Sequence, residues 1–97
     1  PKDGAEMLSL VKLGTQWKSG PFSIRWPRDS VPKEVPHISE VPEIEYGSWE
    51  VLRSGDELAI LATGTMVDVA CQAGEMLSGE GIGTEVVNCR FLKRYYK

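Results

Sequence analysis

Two short apolar runs separated by a stretch of helical length constrain the fold of this chain more than any other feature. The first run, Leu58–Ala62, is almost wholly apolar, which is typical of a strand buried on both faces. The second run, Thr84–Asn88, follows a glycine-rich turn. Between them one helical face carries the spacing i, i+3, i+4, i+7 and i+10, formed by Val67, Ala70, Cys71, Gly74 and Leu77. The pattern predicts an α/β fold built on a βαβ unit, with two parallel strands and a right-handed crossover.

The turn that opens this helix is a candidate anion site. Thr63, Gly64 and Thr65 precede the helical stretch, and Thr65 with Asp68 predicts an N-terminal cap. Free amides at a helix N-terminus favour an anion. Every βα unit has a turn of this kind, however, so the Thr63–Thr65 pattern by itself favours a purely structural role.

Helix-capping and helix-breaking residues predict the structure of the part of the chain before the βαβ unit. Asp3 and Glu6 predict the start of an amphipathic helix over residues 3–13, and Gly14 predicts its end. Residues 22–26 predict a strand, and residues 49–52 predict a short edge strand that leads into the βαβ unit. The unit is therefore expected to follow a helix and a strand that belong to a preceding domain.

Residues 29–47 differ in composition from both flanks. Prolines and glutamates alternate there and apolar residues are sparse. A connection this long is uncommon inside a compact domain, so we expect an extended linker between two domains. The prediction divides the chain into residues 1–28, the linker 29–47 and residues 48–97.

Composition limits the classes of function. The chain has 97 residues and a net charge of −3, which argues against a general binder of nucleic acid or anionic membranes. No run of 18 apolar residues and no secretory signal occur in the sequence.

A lone βαβ unit leaves apolar faces uncovered, so we expect a homodimer. Because the chain starts with Pro1, we also expect that it was cut from a longer protein or trimmed after a tag.

The cysteines, the histidine and the basic stretch of this chain are each more typical of a structural role than of a catalytic or ligand-binding one. Cys71 and Cys89 lie in apolar patterns, which is typical of buried thiols in a reducing, intracellular compartment. His37 is the single histidine, so a zinc site is not expected and neither is a catalytic triad. Residues 90–97 are the densest basic stretch and are read as an exposed terminus, with base stacking on its tyrosines as a distant alternative.

Two arginines close the predicted strand at residues 22–26. Arg25 and Arg28 flank Pro27, which cannot donate to a sheet ladder and therefore ends the strand. Ligands of open α/β sheets bind beyond the carboxyl ends of strands, and a guanidinium suits phosphate or carboxylate. An anion site at Arg25 and Arg28 is one interpretation. The other is that both arginines are solvated or paired with acidic residues.

Three collinear segments carry a family resemblance. Residues 20–28, GPFSIRWPR, resemble the G-P-x-x-I-R-Y-P-R-G segment of 1-deoxy-D-xylulose-5-phosphate synthases. Residues 49–67, WEVLRSGDELAILATGTMV, are similar to the W-E-V-L-R-x-G-x-D-V-A-I-L-A-T-G-T-M-V that follows there. Residues 80–93, EGIGTEVVNCRFLK, resemble the next strand, E-G-I-x-x-x-V-V-N-A-R-F-V-K. Order and spacing agree over nearly the whole chain.

The resemblance implies a transferase of the transketolase type that uses thiamine diphosphate and Mg²⁺. Such an enzyme decarboxylates pyruvate and joins the two-carbon unit to glyceraldehyde 3-phosphate, which feeds isoprenoid synthesis. Residues 1–28 would end the pyrimidine-binding domain and residues 48–97 would start a transketolase-like C-terminal domain. The location implied is the cytoplasm, or the plastid for a plant-type source.

The resemblance also assigns roles to residues. Arg28 matches the arginine that holds the phosphate of the aldehyde substrate, and Arg25 would support it. The segments that bind the cofactor, the metal and the reacting atoms are missing from these 97 residues, so the chain alone is expected to bind no cofactor and to be inactive without the rest of the parent enzyme. Asp29 stands where the family has glycine.

Two alternatives remain open at this point. The chain could be an independent α/β binding or interaction module that kept the fold and lost the chemistry. Asp29 and residues 93–96, KRYY in place of the family's usual K-P-L-D, would be natural in such a module. It could also be a piece of another transketolase-type enzyme, such as the pyrimidine-side subunit of a two-chain transketolase.

Overall fold

A computed structural model describes residues 1–30 and 35–93 and shows a small α/β fold. The elements in chain order are α1 (Gly4–Gln16), β1 (Glu50–Arg53), β2 (Leu58–Ala62), α2 (Met66–Gly79) and β3 (Thr84–Asn88). The strands form one sheet in the order β1-β3-β2. Strand β2 pairs with β3 in parallel, as predicted, whereas β1 runs antiparallel to β3. The sheet is therefore mixed, with the βαβ unit at its parallel end.

The first helix begins where the sequence predicts and ends later. The Asp3 side chain accepts a hydrogen bond from the Glu6 amide at 2.8 Å, which confirms the N-cap. The predicted stop at Gly14 is wrong, because the helix continues to Gln16. A Cβ on Gly14 would lie only 2.8 Å from the Phe22 ring. The glycine therefore serves close packing rather than termination.

The strand predicted over residues 22–26 does not form. A strand needs a ladder of backbone hydrogen bonds, and no strand pairs with this segment in the part of the chain that the structure describes. The segment is held by side-chain packing instead. Phe22 and Ile24 pack against a buried cluster of Leu10, Ile44 and Phe91.

The predicted linker is only partly an extended, solvated segment. Residues 35–47 form no helix or strand, but Val41 and Ile44 are buried and Tyr46 stacks on Trp17 with ring centroids 4.2 Å apart. Ile44 packs against Leu10 of α1, and the Tyr46 contact joins the segment to Trp17 just after that helix, so the segment is packed against the fold at these positions. Residues 31–34 lie outside the described residues. The division into two domains and a linker stays a prediction.

Helix α2 covers one face of the sheet. Its predicted apolar face is confirmed, with Val67, Ala70 and Gly74 buried. Gly74 allows a close approach, because a Cβ there would lie 2.9 Å from Val86 of β3. The predicted cap at Thr65 is wrong. The Thr65 backbone is already helical, with φ −65° and ψ −17°, and its side chain makes no capping bond.

The two edges of the sheet differ. Strand β1 lies at one edge, as predicted, and its pairing register with β3 shifts between Val51 and Arg53. Strand β2 lies at the other edge, and Leu61 is 61% exposed. The prediction that β2 is buried on both faces is therefore wrong in this chain, because only β3 and α2 pack against it among the described elements. No described helix is long and apolar enough to cross a lipid bilayer.

Candidate functional site

The carboxyl end of β3 is the place where α1 and the sheet meet through charged and polar side chains. We call Lys2, Glu6, Glu50, Asn88 and Arg90 the polar cluster. The fully buried Asn88 amide donates to Glu6 Oε2 at 2.6 Å and to Glu50 Oε1 at 3.2 Å. Lys2 Nζ donates to the same Glu50 oxygen at 2.6 Å. Asn88 therefore joins a carboxylate of α1 to a carboxylate of β1.

Arg90 completes the polar cluster from the segment after β3. Its Nε donates to the Ser48 carbonyl at 3.0 Å and its Nη2 donates to the Ser48 hydroxyl at 2.8 Å. Its Nη1 lies 3.9 Å from Glu6 Oε2, and only 14% of the side chain is exposed. The prediction of an exposed basic terminus is therefore wrong at Arg90. Lys93 is exposed, and residues 94–97, with the two tyrosines, lie outside the described residues.

The cluster shifts the acidity of Glu50. Burial acts to raise the pKa of this carboxyl, but hydrogen bonds from Lys2 and Asn88 and the charges of Lys2 and Arg90 outweigh it, so the pKa lies below its usual value of 4.5. Glu50 is therefore ionised at neutral pH. An ionised carboxylate already held by two donors is a poor general base, so the cluster favours structural coupling of α1 to the sheet over catalysis.

One polar atom of the cluster lacks a partner. Asn88 Oδ1 is buried and accepts no hydrogen bond from the described residues, and the same holds for the Ser9 hydroxyl of α1. Such atoms cost about 1–3 kcal/mol each when no water reaches them. Little in the sequence predicts this arrangement, since Lys2 and Glu50 are 48 residues apart. The one local signal is a polar Asn88 at the end of an apolar run.

The two arginines singled out from the sequence are exposed. Within residues 1–30 and 35–93, neither Arg25 nor Arg28 makes an ion pair or a side-chain hydrogen bond. Among the described residues Asp29 forms no ion pair with Arg28, and its carboxylate accepts a hydrogen bond from the Ser30 amide at 2.8 Å. Both guanidinium groups therefore face solvent. Their assignment to a phosphate stays a prediction.

The remaining candidates have structural surroundings. His37 is exposed and lies 2.8 Å from the Ser39 hydroxyl. Cys89 is buried, and burial raises the pKa of its thiol despite a backbone hydrogen bond at Ala62 that lowers it. That thiol is protonated at neutral pH and is a weak nucleophile. Cys71 is half-buried on α2.

An apolar groove of about 370 Å³ lies beside the exposed edge of β2. Its walls come from the end of β2, from the residue before β1 and from residues that follow β2 and β3. The lining residues are Trp49, Leu61, Ala62, Thr63, Cys89 and Leu92. The groove offers few polar groups to orient a small molecule, so it resembles an unfilled packing surface more than a catalytic pocket.

The comparisons with known proteins agree with this architecture. Residues 47–97 match the model of the transketolase C-terminal domain. The chain is 43% identical over 93 residues to the 1-deoxy-D-xylulose-5-phosphate synthase of Lysinibacillus sphaericus and 48% identical over 94 residues to that of a Synechococcus species. Each alignment covers 96% of this chain and 14% of the relative.

A solved structure supports the same relationship. It is described as "Split gene transketolase, inactive beta4 tetramer", and it superposes with a TM-score of 0.80 at 36% identity. The superposition covers 96% of this chain and 29% of the other. The family match spans more than half of the 97 residues and contains the whole βαβ unit. The chain therefore belongs to the transketolase C-terminal domain family and spans about one seventh of the synthases that it matches.

Proposed function

We propose that this chain is part of a 1-deoxy-D-xylulose-5-phosphate synthase. The parent enzyme is a transferase that condenses pyruvate with glyceraldehyde 3-phosphate and feeds isoprenoid synthesis in the cytoplasm. The observation that carries the proposal is the 41–48% identity to synthases along 93–94 residues, which includes both the segment before the sheet and the βαβ unit. A free-standing module is the competing interpretation, and nothing in the described geometry favours it.

The part of the reaction proposed for this chain is recognition of the aldehyde's phosphate. Arg28 binds the phosphate and Arg25 supports it. The exposure of both side chains, without a competing carboxylate in the described residues, supports this role. A planar guanidinium can donate two parallel hydrogen bonds to phosphate oxygens, which a lysine cannot.

The cofactor belongs to other parts of the proposed parent enzyme. Among the described residues, no group of three or more histidine, cysteine, aspartate or glutamate side chains is placed to hold a metal ion. Bound thiamine diphosphate supplies the carbanion chemistry. We propose that this chain needs the remainder of the enzyme for activity.

A second candidate is a subunit of a split-gene transketolase. The solved relative with a TM-score of 0.80 carries that description and supports this alternative. Its identity to this chain is 36%, against 41–48% for the synthases. The difference favours the synthase.

The phosphate role can be tested on the 97-residue chain by nuclear magnetic resonance. We expect glyceraldehyde 3-phosphate to shift amide signals around Arg28, and we expect unphosphorylated glyceraldehyde to leave them unchanged. The variant Arg28→Gln removes one cation and should weaken the response by about 10-fold. Lys18→Gln removes a cation from another exposed position and should keep it. A response that is absent, or equal in both variants, contradicts the phosphate role and favours the interaction module.

A further inference from the structure

The Phe22 side chain belongs to a group of four aromatic rings that come from three parts of the chain. Its ring centroid is 6.1 Å from that of Trp17, just after α1, and 6.3 Å from that of Tyr46. Tyr46 stacks on Trp17 at 4.2 Å and meets the Phe91 ring edge to face at 5.4 Å. We call these four residues the aromatic cluster. Stacked, tilted and edge-to-face pairs at such distances stabilise one another, so the cluster holds the Phe22 ring in place.

Helix α1 also borders the Phe22 ring directly. A Cβ on Gly14 would lie 2.8 Å from Cδ1 and 3.2 Å from Cε1 of this ring. Carbon atoms in contact are at least about 3.5 Å apart, so there is no room for a methyl group between the helix and the ring. The ring therefore lies close against the helix backbone, and a side chain at position 14 would displace it.

Ile24 attaches the same segment to the fold at a second point. It packs against the buried hydrophobic cluster to which Leu10 belongs. Phe22 and Ile24 are half-buried, whereas Ser23 and Arg25 are exposed, so the side chains alternate in direction along an extended backbone. Arg25 therefore projects outward directly after the two attached residues.

The connection from Ile24 to Arg28 is short and stiff. Arg28 follows Ile24 by four residues, which span at most about 14 Å. The Pro27 ring fixes its own φ and restricts Trp26 to extended conformations. Few backbone dihedral angles therefore remain free along this connection. A displacement of the segment at Phe22 is passed on to Arg28.

Binding of a phosphate by an arginine is sensitive to a displacement of this size. A guanidinium donates two parallel hydrogen bonds to phosphate oxygens, with donor–acceptor distances of about 2.7–2.9 Å. A shift of about 1 Å takes at least one of them out of hydrogen-bonding range. Arg25 and Arg28 make no ion pair or side-chain hydrogen bond within residues 1–30 and 35–93. In this part of the chain, the packing of their segment therefore sets where the two guanidinium groups lie.

We propose that Phe22 is a positioning residue for the phosphate site, seated between Gly14 and the aromatic cluster so that Arg28 and Arg25 present their guanidinium groups to a phosphate. The inference rests on the phosphate role proposed for Arg28. It adds that a change which moves the Phe22 ring weakens phosphate binding even where the fold keeps its stability. Through Tyr46, it also connects the arginine segment to the residues that flank the sheet.

The variant Gly14→Ala of the 97-residue chain tests the proposal. The added methyl group displaces the Phe22 ring by about 1 Å, while alanine favours the helix and so offsets the loss of stability. We expect glyceraldehyde 3-phosphate to bind about 10-fold more weakly, measured from amide shifts around Arg28, at an unchanged midpoint of urea denaturation. The matched control is Gly79→Ala in α2, where a Cβ has no atom within 4 Å, and it should keep the wild-type affinity.

Further variants separate positioning from a general loss of structure. Tyr46→Ala removes a ring that contacts Phe22 and should also weaken binding, whereas Tyr46→Phe keeps the ring and the wild-type affinity. Leu77→Ala removes a half-buried side chain from α2, which among the described helices and strands packs against the sheet alone. It should lower the denaturation midpoint and leave the affinity unchanged. If Leu77→Ala or Gly79→Ala weakens binding as much as Gly14→Ala does, the proposal is overturned.

The outcomes distinguish this inference from the proposed function. If the wild-type chain binds glyceraldehyde 3-phosphate and Gly14→Ala binds it equally well, Arg28 keeps its role and the positioning role of Phe22 is wrong. If the wild-type chain does not respond, the phosphate role fails and the positioning role fails with it.

Steady-state kinetics give a second readout in a complete enzyme. These residues replace the aligned segment of the Lysinibacillus sphaericus synthase, with and without Gly14→Ala. The variant should raise KM for glyceraldehyde 3-phosphate about 10-fold and leave KM for pyruvate unchanged, because pyruvate carries no phosphate. An equal rise in both KM values, or no rise in either, contradicts a positioning role for Phe22.

Discussion

Removing the Glu6 carboxylate should destabilise the fold more than removing any exposed carboxylate. Its side chain is 4% exposed, accepts from Asn88 Nδ2 at 2.6 Å and from the Lys2 amide at 2.8 Å, and lies 3.9 Å from Arg90. A hydrogen bond to a buried charged group contributes about 1.5–3 kcal/mol. Asn88 keeps its bond to Glu50, so one of the two bonds is partly replaced.

We therefore expect Glu6→Ala to lower the free energy of unfolding by about 2–4 kcal/mol. A chain of this size has a total of roughly 5–15 kcal/mol, so the loss is large. Glu6→Gln keeps an acceptor for one donor and loses the charge, and it should cost about half as much. The assay is urea denaturation at a fixed protein concentration, read as a change in midpoint at constant slope.

The matched control is Glu40→Ala, which removes a carboxylate from an exposed turn. Its expected effect is within about 0.5 kcal/mol of zero. If Glu6→Ala shifts the midpoint no more than Glu40→Ala does, the polar cluster does not couple α1 to the sheet and the reasoning fails.

Three further predictions follow from individual contacts. Gly55→Ala should destabilise strongly, by about 3 kcal/mol or more, because a Cβ there would lie 2.4 Å from the backbone at the start of β3; Gly79→Ala, with no atom within 4 Å, should be neutral or slightly stabilising in the same thermal melt. Glu50 has a lowered pKa in the folded state, so its contribution is present above about pH 4.5 and is lost as the pH falls; Glu50→Gln should flatten that loss in urea midpoints measured from pH 6 to pH 3, and an unchanged slope would contradict it. Cys71 should react with a thiol reagent before Cys89 does, and Cys89 should react only at the rate of unfolding, as followed by mass spectrometry.

Local sequence signals predicted the elements whose boundaries depend on neighbours in the chain. Asp3 opens α1 because its carboxylate reaches an amide three residues away. The bounds of β2 and β3 follow from apolar runs that end at turns, and the buried face of α2 follows from its helical period. The family resemblance, carried by three collinear segments, is confirmed by the comparisons.

The wrong predictions depend on partners that are distant in sequence or missing. Residues 22–26 have the composition of a strand, but a strand needs a neighbour to bond with, and none pairs with them in the described part of the chain. Ile44 is buried and Arg90 is half-buried through contacts with residues more than 30 positions away, which periodicity cannot reveal. Strand β2 is exposed for a related reason, because no described strand pairs with its outer edge.

The measurement that tests the proposed function most directly is activity of a chimeric synthase. The segment of the Lysinibacillus sphaericus enzyme that aligns with this chain is replaced by these residues, and formation of 1-deoxy-D-xylulose 5-phosphate from pyruvate and glyceraldehyde 3-phosphate is measured. We predict activity within about 10-fold of the parent and a rise in KM for the aldehyde in the Arg28→Gln chimera. A chimera that folds and binds its cofactor but forms no product would contradict the assignment of this chain to a synthase.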